Sequence, residues 1–190
     1  MSKTYFEDLY RRDPDPWGLA TRWYEARKYA ITMAALPRPR YRSGFEPGCS
    51  IGMLTAMLAT RCDHLLAADG MPVAAEQARA RTWGLANVEV ADLTVPESWP
   101  EINFDLVVLS EIAYYFDPEE LGSLLDRVRQ TLDTAGGHLM AVHWRGTTNY
   151  PLTGDHAHQL IGSRPELARV VHHVEDEFVL DVWEPRSPPT

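Results

Sequence analysis

Four residues at alternate positions, Glu46, Gly48, Ser50 and Gly52, write the pattern acid-x-G-x-S-x-G inside FEPGCSIG, residues 45–52. Small residues at that spacing let a backbone come close to something else. A nucleotide phosphate, a methyl-donor sulfonium and a plain tight turn all fit at this point. The dinucleotide fingerprint G-x-G-x-x-G, counted from Gly48, needs glycine where Ser50 and Met53 stand. No G-x-x-x-x-G-K-[ST] stretch occurs either, so a pyrophosphate-binding loop is disfavoured.

Composition narrows the setting. The chain has 190 residues, 45% hydrophobic and 24% charged, which suits one domain with a proper core. A formal net charge of -9 argues against a general nucleic-acid binder, which needs clustered Lys and Arg. Arg11, Arg12, Arg38, Arg40 and Arg42 are scattered and read as solvated surface. Cys49 and Cys62 are the two cysteines and lack ligand spacing, so a reduced, cytoplasmic protein is expected. No apolar run approaches membrane-spanning length, and no membrane partner is expected.

The elements that must position the loop follow from periodicity. DPDPWG, residues 13–18, breaks any early helix. TRWYEARKYAITMAAL then has helical spacing through Trp23, Ala26, Ala30, Met33 and Ala34, with Thr21 as the expected N-cap. PRPRYRSG reads as a linker, so residues 1–40 are expected to be an accessory helical segment or lid and 41–190 the main domain. Beyond Tyr41, the runs HLLAAD, NVEVAD, FDLVVLS and GGHLMAVHW read as strands. PVAAEQARART is a helix with proline in its first turn. DPEELGSLLDRVRQTL is a second helix, with Leu121, Leu124, Leu125, Val128 and Leu132 on one face. ARVVHHVE and EFVLDVW read as two adjacent strands near the end. Strand alternating with helix implies an α/β fold, a largely parallel sheet with helices on both faces. Ligands of such sheets bind beyond the carboxyl ends of the strands, where the loop lies.

With these residues in place, the loop resembles the first motif of class I S-adenosylmethionine-dependent methyltransferases, an acid followed by three alternate glycines, with Ser50 in place of the middle one. That resemblance implies a Rossmann-like methyltransferase fold with a mostly parallel seven-stranded sheet, and S-adenosylmethionine as cofactor. It implies that Glu46, Gly48, Cys49, Ser50 and Gly52 hold the methionine end. Asp69 would bind both ribose hydroxyls with Gly70 and Met71 beside it, Asp92 and Leu93 the adenine. Ser110 and Glu111, after FDLVVL, would stand where donor and acceptor meet. A narrower likeness lies in FEDLYRRDPDPWGLATRWYEARKYAITMAAL and in EIAYYF, which resemble the NodS-like methyltransferases. This implies N-methylation of a small hydrophilic acceptor, with the free amine of a deacetylated glucosamine or chitooligosaccharide as one candidate. An O-acceptor, hydroxyl or carboxylate, and a non-catalytic nucleoside-binding domain are the alternatives.

An amine must lose its ammonium proton before it attacks, and a carboxylate or a histidine can take it. Glu111 and His143 are therefore the expected catalytic pair. Tyr114, Tyr115, Trp144, Arg145 and Tyr150 are the expected acceptor contacts, with Asp155, His156 and His158 in the segment that follows. Aromatic faces at a strand end suit sugar rings, whereas Arg145 would equally serve an anionic acceptor. The pairs His156/His158 and His172/His173 tempt a metal reading. Residues two apart on a helix, or adjacent on a strand, do not share a face, so no metal is expected. The N-terminal aromatics Tyr5, Trp17, Trp23 and Tyr24 are expected to pack on the main domain and partly cover the donor.

Overall fold

Tyr41 and Gly44 decide where the first strand begins. In the computed structural model, which describes residues 3–186, β1 runs Tyr41–Pro47. The Tyr41 ring is buried, and a Cβ at Gly44 would stand 2.8 Å from the Cys62 sulfur of the neighbouring strand. The expected linker PRPRYRSG is therefore corrected: its second half is strand, and residues 36–40 alone form the spacer.

The chain divides into two compact units, Met1–Thr94 and Val95–Thr190. In the first unit, helices α1 (Lys3–Arg12) and α2 (Trp23–Ala35) precede β1. Helix α3 (Met53–Leu58), β2 (Cys62–Asp69), α4 (Pro72–Arg81) and β3 (Val88–Asp92) follow. Its strands are parallel in the order β3-β2-β1, with Pro47 opposite Ala68 and Asp69 opposite Asp92, so their carboxyl ends lie side by side. The expected N-cap is corrected as well: α2 starts at Trp23 after Arg22, and Thr21 instead turns back to the Gly18 carbonyl. The Asp15 carboxylate takes the Leu19 and Ala20 N–H groups at 2.7 and 2.9 Å, and this turn consumes the residues before the helix.

The second unit holds β4 (Leu106–Ser110), α5 (Pro118–Ala135), β5 (His138–Trp144), α6 (Gly154–Gly162), β6 (Leu167–Val174) and β7 (Phe178–Pro185). Strands β4 and β5 are parallel, and β7 is antiparallel to both β5 and β6. Helix α5 starts on a complete capping box: Asp117 accepts from Glu119 and Glu120, and Glu120 accepts from the Asp117 N–H. It ends at Gly136, in the left-handed region. All five apolar residues of its expected face are buried. Helix α6, absent from the periodicity reading, is capped by Thr153, whose hydroxyl accepts the His156 N–H at 3.1 Å. Seven strands are thus present among the described residues. Among the described residues no helix is long and apolar enough to cross a membrane, and Cys49 and Cys62 are free and buried.

Candidate functional site

In the first unit the glycine loop is tied down at three points. Gly48 and Cys49 both donate their N–H to the Ala68 carbonyl, at 2.7 and 2.9 Å. Ser50 donates its N–H to Asp69 Oδ2 at 2.9 Å, and Met71 donates to Oδ1 of the same carboxylate at 2.8 Å. Thr55, in the first turn of α3, donates its hydroxyl to Glu46 Oε2 at 2.6 Å, closing the loop from strand to helix. Ser50 has φ +49, which explains why glycine is the usual residue at that place in the motif. Gly52 has φ +78, and a Cβ there would stand 2.9 Å from the Cα of Ala78 on α4, so close helix packing demands glycine.

Two buried carboxylates thus stand at this loop. Burial lifts Glu46 to about 8; the Thr55 hydrogen bond opposes this and the Asp69 charge adds to it. Burial also raises Asp69 from its ordinary range, against the pull of the Met71 and Ser50 N–H groups. Glu46 is 2% exposed, not a solvated strand-end charge. Cys49 lies in an apolar cluster with Ala67 and Ala78, and burial pushes its thiol well up. Only its backbone is available to a loop ligand. A Cβ at Gly70 would meet the Thr94 hydroxyl at 2.9 Å. Met71 is buried against Tyr10, Ile51 and Ala74. Asp92 is exposed, and its Oδ1 pairs with Arg79 at 3.0 Å, a partner that sequence reading did not foresee. Leu93 is half-buried next to it.

The N-terminal segment reaches this loop. The Tyr10 hydroxyl meets the Ser50 hydroxyl at 2.6 Å, and Phe6, Trp17 and Leu19 pack with Met53 around the buried Tyr10, Ile51 and Met71. Burial raises the Tyr10 phenol, with Asp69 contributing.

In the second unit the expected acceptor residues converge. Ser110 ends β4, and Glu111 follows with φ +55, its N–H donated to the Val142 carbonyl at 2.9 Å. Glu111 Oε2 accepts the Tyr114 hydroxyl at 2.6 Å and the Trp144 N–H at 2.9 Å. The Tyr115 ring lies 4.7 Å from Tyr114 and 4.6 Å from Tyr150, so three of the five expected contacts form one aromatic cluster. Burial keeps the Tyr114 phenol well above its ordinary value, and the Glu111 charge reinforces this. Trp144 is partly exposed, and its ring covers the Cα of Gly146. Arg145 is tied away: its Nε bonds both oxygens of Asp155 and its Nη1 the Glu175 carbonyl.

His143 is fully buried. Its Nε2 accepts the Ala113 N–H at 2.9 Å, and its Nδ1 lies 3.0 Å from His158 Nε2. His158 Nδ1 lies 2.6 Å from Asp181 Oδ2, and His172 Nδ1 lies 2.6 Å from Oδ1. Burial favours raising Asp181, yet the hydrogen bonds from His158 and His172 hold it below the usual carboxylate range. Asp181 was not among the expected residues. The available signal was a single acid inside the apolar run FVLDVW, residues 178–183. Asp181, His172 and Arg169 also line a groove of about 640 Å³ between α6 and the β6-β7 hairpin. Among the described residues no group of three or more His, Cys, Asp or Glu could hold a metal ion.

Comparison with known proteins gives this arrangement relatives. Residues 2–142 match the family model described as Nodulation protein S (NodS). Nodulation protein S of Bradyrhizobium diazoefficiens is 34% identical over 102 residues, 53% of this chain and 49% of that protein. The matched segment thus spans about half the length of that curated relative. A candidate methyltransferase from Pseudomonas syringae is 43% identical, with a TM-score of 0.75 over 86% of this chain and 99% of its own. The N-methyltransferase NodS from Bradyrhizobium japonicum WM9, solved with S-adenosyl-L-homocysteine, is 23% identical, with a TM-score of 0.84 over 97% of this chain and 98% of its own. These likenesses show the fold to be the Rossmann-like methyltransferase fold, with its seven-stranded, mostly parallel sheet.

Proposed function

Since the chain belongs to the nodulation protein S family, we propose that it is an S-adenosylmethionine-dependent N-methyltransferase acting on a small hydrophilic amine. The observation that carries this reading is the sign of the loop. Glu46 and Asp69 are buried carboxylates beside one loop, and the Asp69 charge adds to the burial that raises Glu46. Such a pair repels a phosphate and favours a cation and hydroxyl donors. The ammonium and ribose of S-adenosylmethionine offer both. When bound, that molecule supplies an electrophilic methyl group.

Each residue then has a task. The backbone from Gly48 to Gly52, held by Ala68 and Asp69, lies against the methionine end, and a cation bound there draws the Glu46 carboxyl toward its ionised form. Asp69 uses one lone pair of each oxygen on the loop; a carboxylate has others to accept from ribose hydroxyls. Asp92 and Leu93 serve the adenine, Asp92 exchanging Arg79 for the exocyclic amine. Residues 1–40 act as a cover through Tyr10 and Trp17, keeping water from the donor. The main domain is 41–190.

The acceptor is the business of the second unit. Glu111 orients an ammonium and accepts its proton, its carboxylate aimed by Tyr114 and the Trp144 N–H. Tyr114, Tyr115 and Tyr150 offer ring faces to a sugar, for which the free amine of a deacetylated glucosamine unit is the preferred candidate. His143 does not take the proton, because Ala113 already occupies its Nε2 lone pair.

The test is incubation with S-adenosylmethionine and deacetylated chitotetraose, with the fully acetylated tetramer as control, read by mass spectrometry. One methyl on the free-amine sugar alone supports the proposal. Donor binding without turnover on amino sugars or simple amines would replace it with the nucleoside-binding reading.

A further inference from the structure

We infer that His158 and Asp181 are positioning residues for the acceptor turn, acting through His143 on the backbone of Ala113. The inference rests on the reading of Glu111–Tyr115 as the acceptor end.

The hydrogen bonds leave one assignment of protons. The Ala113 N–H can only donate, so His143 Nε2 carries no proton. A neutral imidazole then carries its proton on Nδ1, and that proton points at His158 Nε2, 3.0 Å away. His158 must therefore hold its own proton on Nδ1, 2.6 Å from Asp181 Oδ2. An ionised carboxylate can only accept, so Asp181 sets the direction of the whole chain from its far end. Reversing any link would set N–H against N–H at Ala113. Cross-strand pairing and Arg169, 3.4 Å from Asp181 Oδ1, hold the carboxylate in place.

The chain ends where control of geometry matters. Glu111 holds a left-handed φ of +55, a conformation that costs free energy in a residue other than glycine and persists only where neighbours impose it. Among the bonds that hold this turn are Glu111 N–H to Val142, Ala113 N–H to His143, and Leu152 N–H to the Tyr114 carbonyl. Of these, the His143 bond runs to a side chain whose proton placement depends on two further residues. Gly154 makes the approach feasible, since a Cβ there would overlap the Trp144 carbonyl and stand 3.1 Å from the Cβ of His143. The first turn of α6 can thus lie on β5, with His158 one turn on.

The test uses Asp181→Asn and His158→Phe in the full chain. In Asp181→Asn, His172 and Arg169, both on the Oδ1 side, draw the amide oxygen toward themselves and turn the NH2 toward His158, which reverses every proton in the chain. In His158→Phe the ring volume stays and the His143 Nδ1–H loses its acceptor. Amide exchange by NMR should show Ala113 exchanging at least about tenfold faster in both variants, with Ala141 and Val182 unchanged and S-adenosylmethionine affinity unchanged. Nitrogen shifts of the wild-type imidazoles should report Nδ1–H for both His143 and His158. With deacetylated chitotetraose, kcat should fall about tenfold at unchanged donor affinity. If the wild type does not turn over that sugar, the acceptor reading fails while the exchange data still judge the positioning. Wild-type protection at Ala113 in both variants, or equal loss across β5 and β7, would overturn the inference.

Discussion

Asp69, at the end of β2, accepts the N–H of Ser50 at 2.9 Å, so a carboxylate on one strand holds open the turn that follows its neighbour. Asp69 therefore shapes the loop before any ligand arrives. Asp69→Asn should lower S-adenosylmethionine affinity at least about tenfold, because a charge-assisted acceptor is lost from two backbone donors at once. Isothermal titration calorimetry reads it. Unchanged affinity would remove Asp69 from the donor site.

Ser50 carries two opposed effects. Its φ of +49 is strained, and its hydroxyl bonds Tyr10 at 2.6 Å. Ser50→Ala loses the bond and keeps the strain, whereas Ser50→Gly loses the bond and relieves the strain. Urea unfolding should rank Gly above Ala by about 1 kcal/mol.

Glu46 makes a pH prediction. Its carboxyl is raised from 4.5 to about 8 in the folded protein. Between those values the native state binds more protons than the unfolded one, so this contribution is complete below about 4.5 and fades as pH rises through about 8. The slope from one group is at most about 1.4 kcal/mol per pH unit. Glu46→Gln should flatten the fall in urea midpoint between pH 5 and 8, roughly the span over which the group differs. An equal slope in both proteins would show that other groups cause it.

Arg79 and Asp92 form an exposed pair, 42% and 53% accessible. Arg79→Ala should therefore change stability by less than about 0.5 kcal/mol. It should leave donor affinity level or tighter by freeing Asp92, while Asp92→Ala weakens it. Parallel losses in both variants would mean that the pair, not the carboxylate, serves the donor.

Much of this was legible in one dimension. Helix α5 could be read almost residue by residue, because a capping box, a 3.6-residue apolar face and a terminal glycine are all local. The loop spacing and the acids closing β2 and β3 marked the donor end for the same reason: each lies a fixed few residues from the end of a strand. Helix α3, only Met53–Leu58, was too short for a period to show. The PRPRYRSG stretch misled because composition cannot show that Tyr41 and Gly44 will be buried against Cys62.

By itself, then, the sequence determined the order of β2 to β5 with α4 and α5 among them, the acidic loop and the family, since these rest on neighbours in the chain. Tertiary structure alone decided who touches whom. Glu46 finds Thr55 nine residues on, and His143 finds His158 and, beyond it, Asp181. On β6 the register slips between Arg169 and Val171. Residues three apart on a regular strand face opposite ways, but this bulge brings Arg169 and His172 to the same side as Asp181. One extra residue in a strand leaves the composition of the hairpin untouched and changes which charges meet, because the facing of every later side chain depends on register.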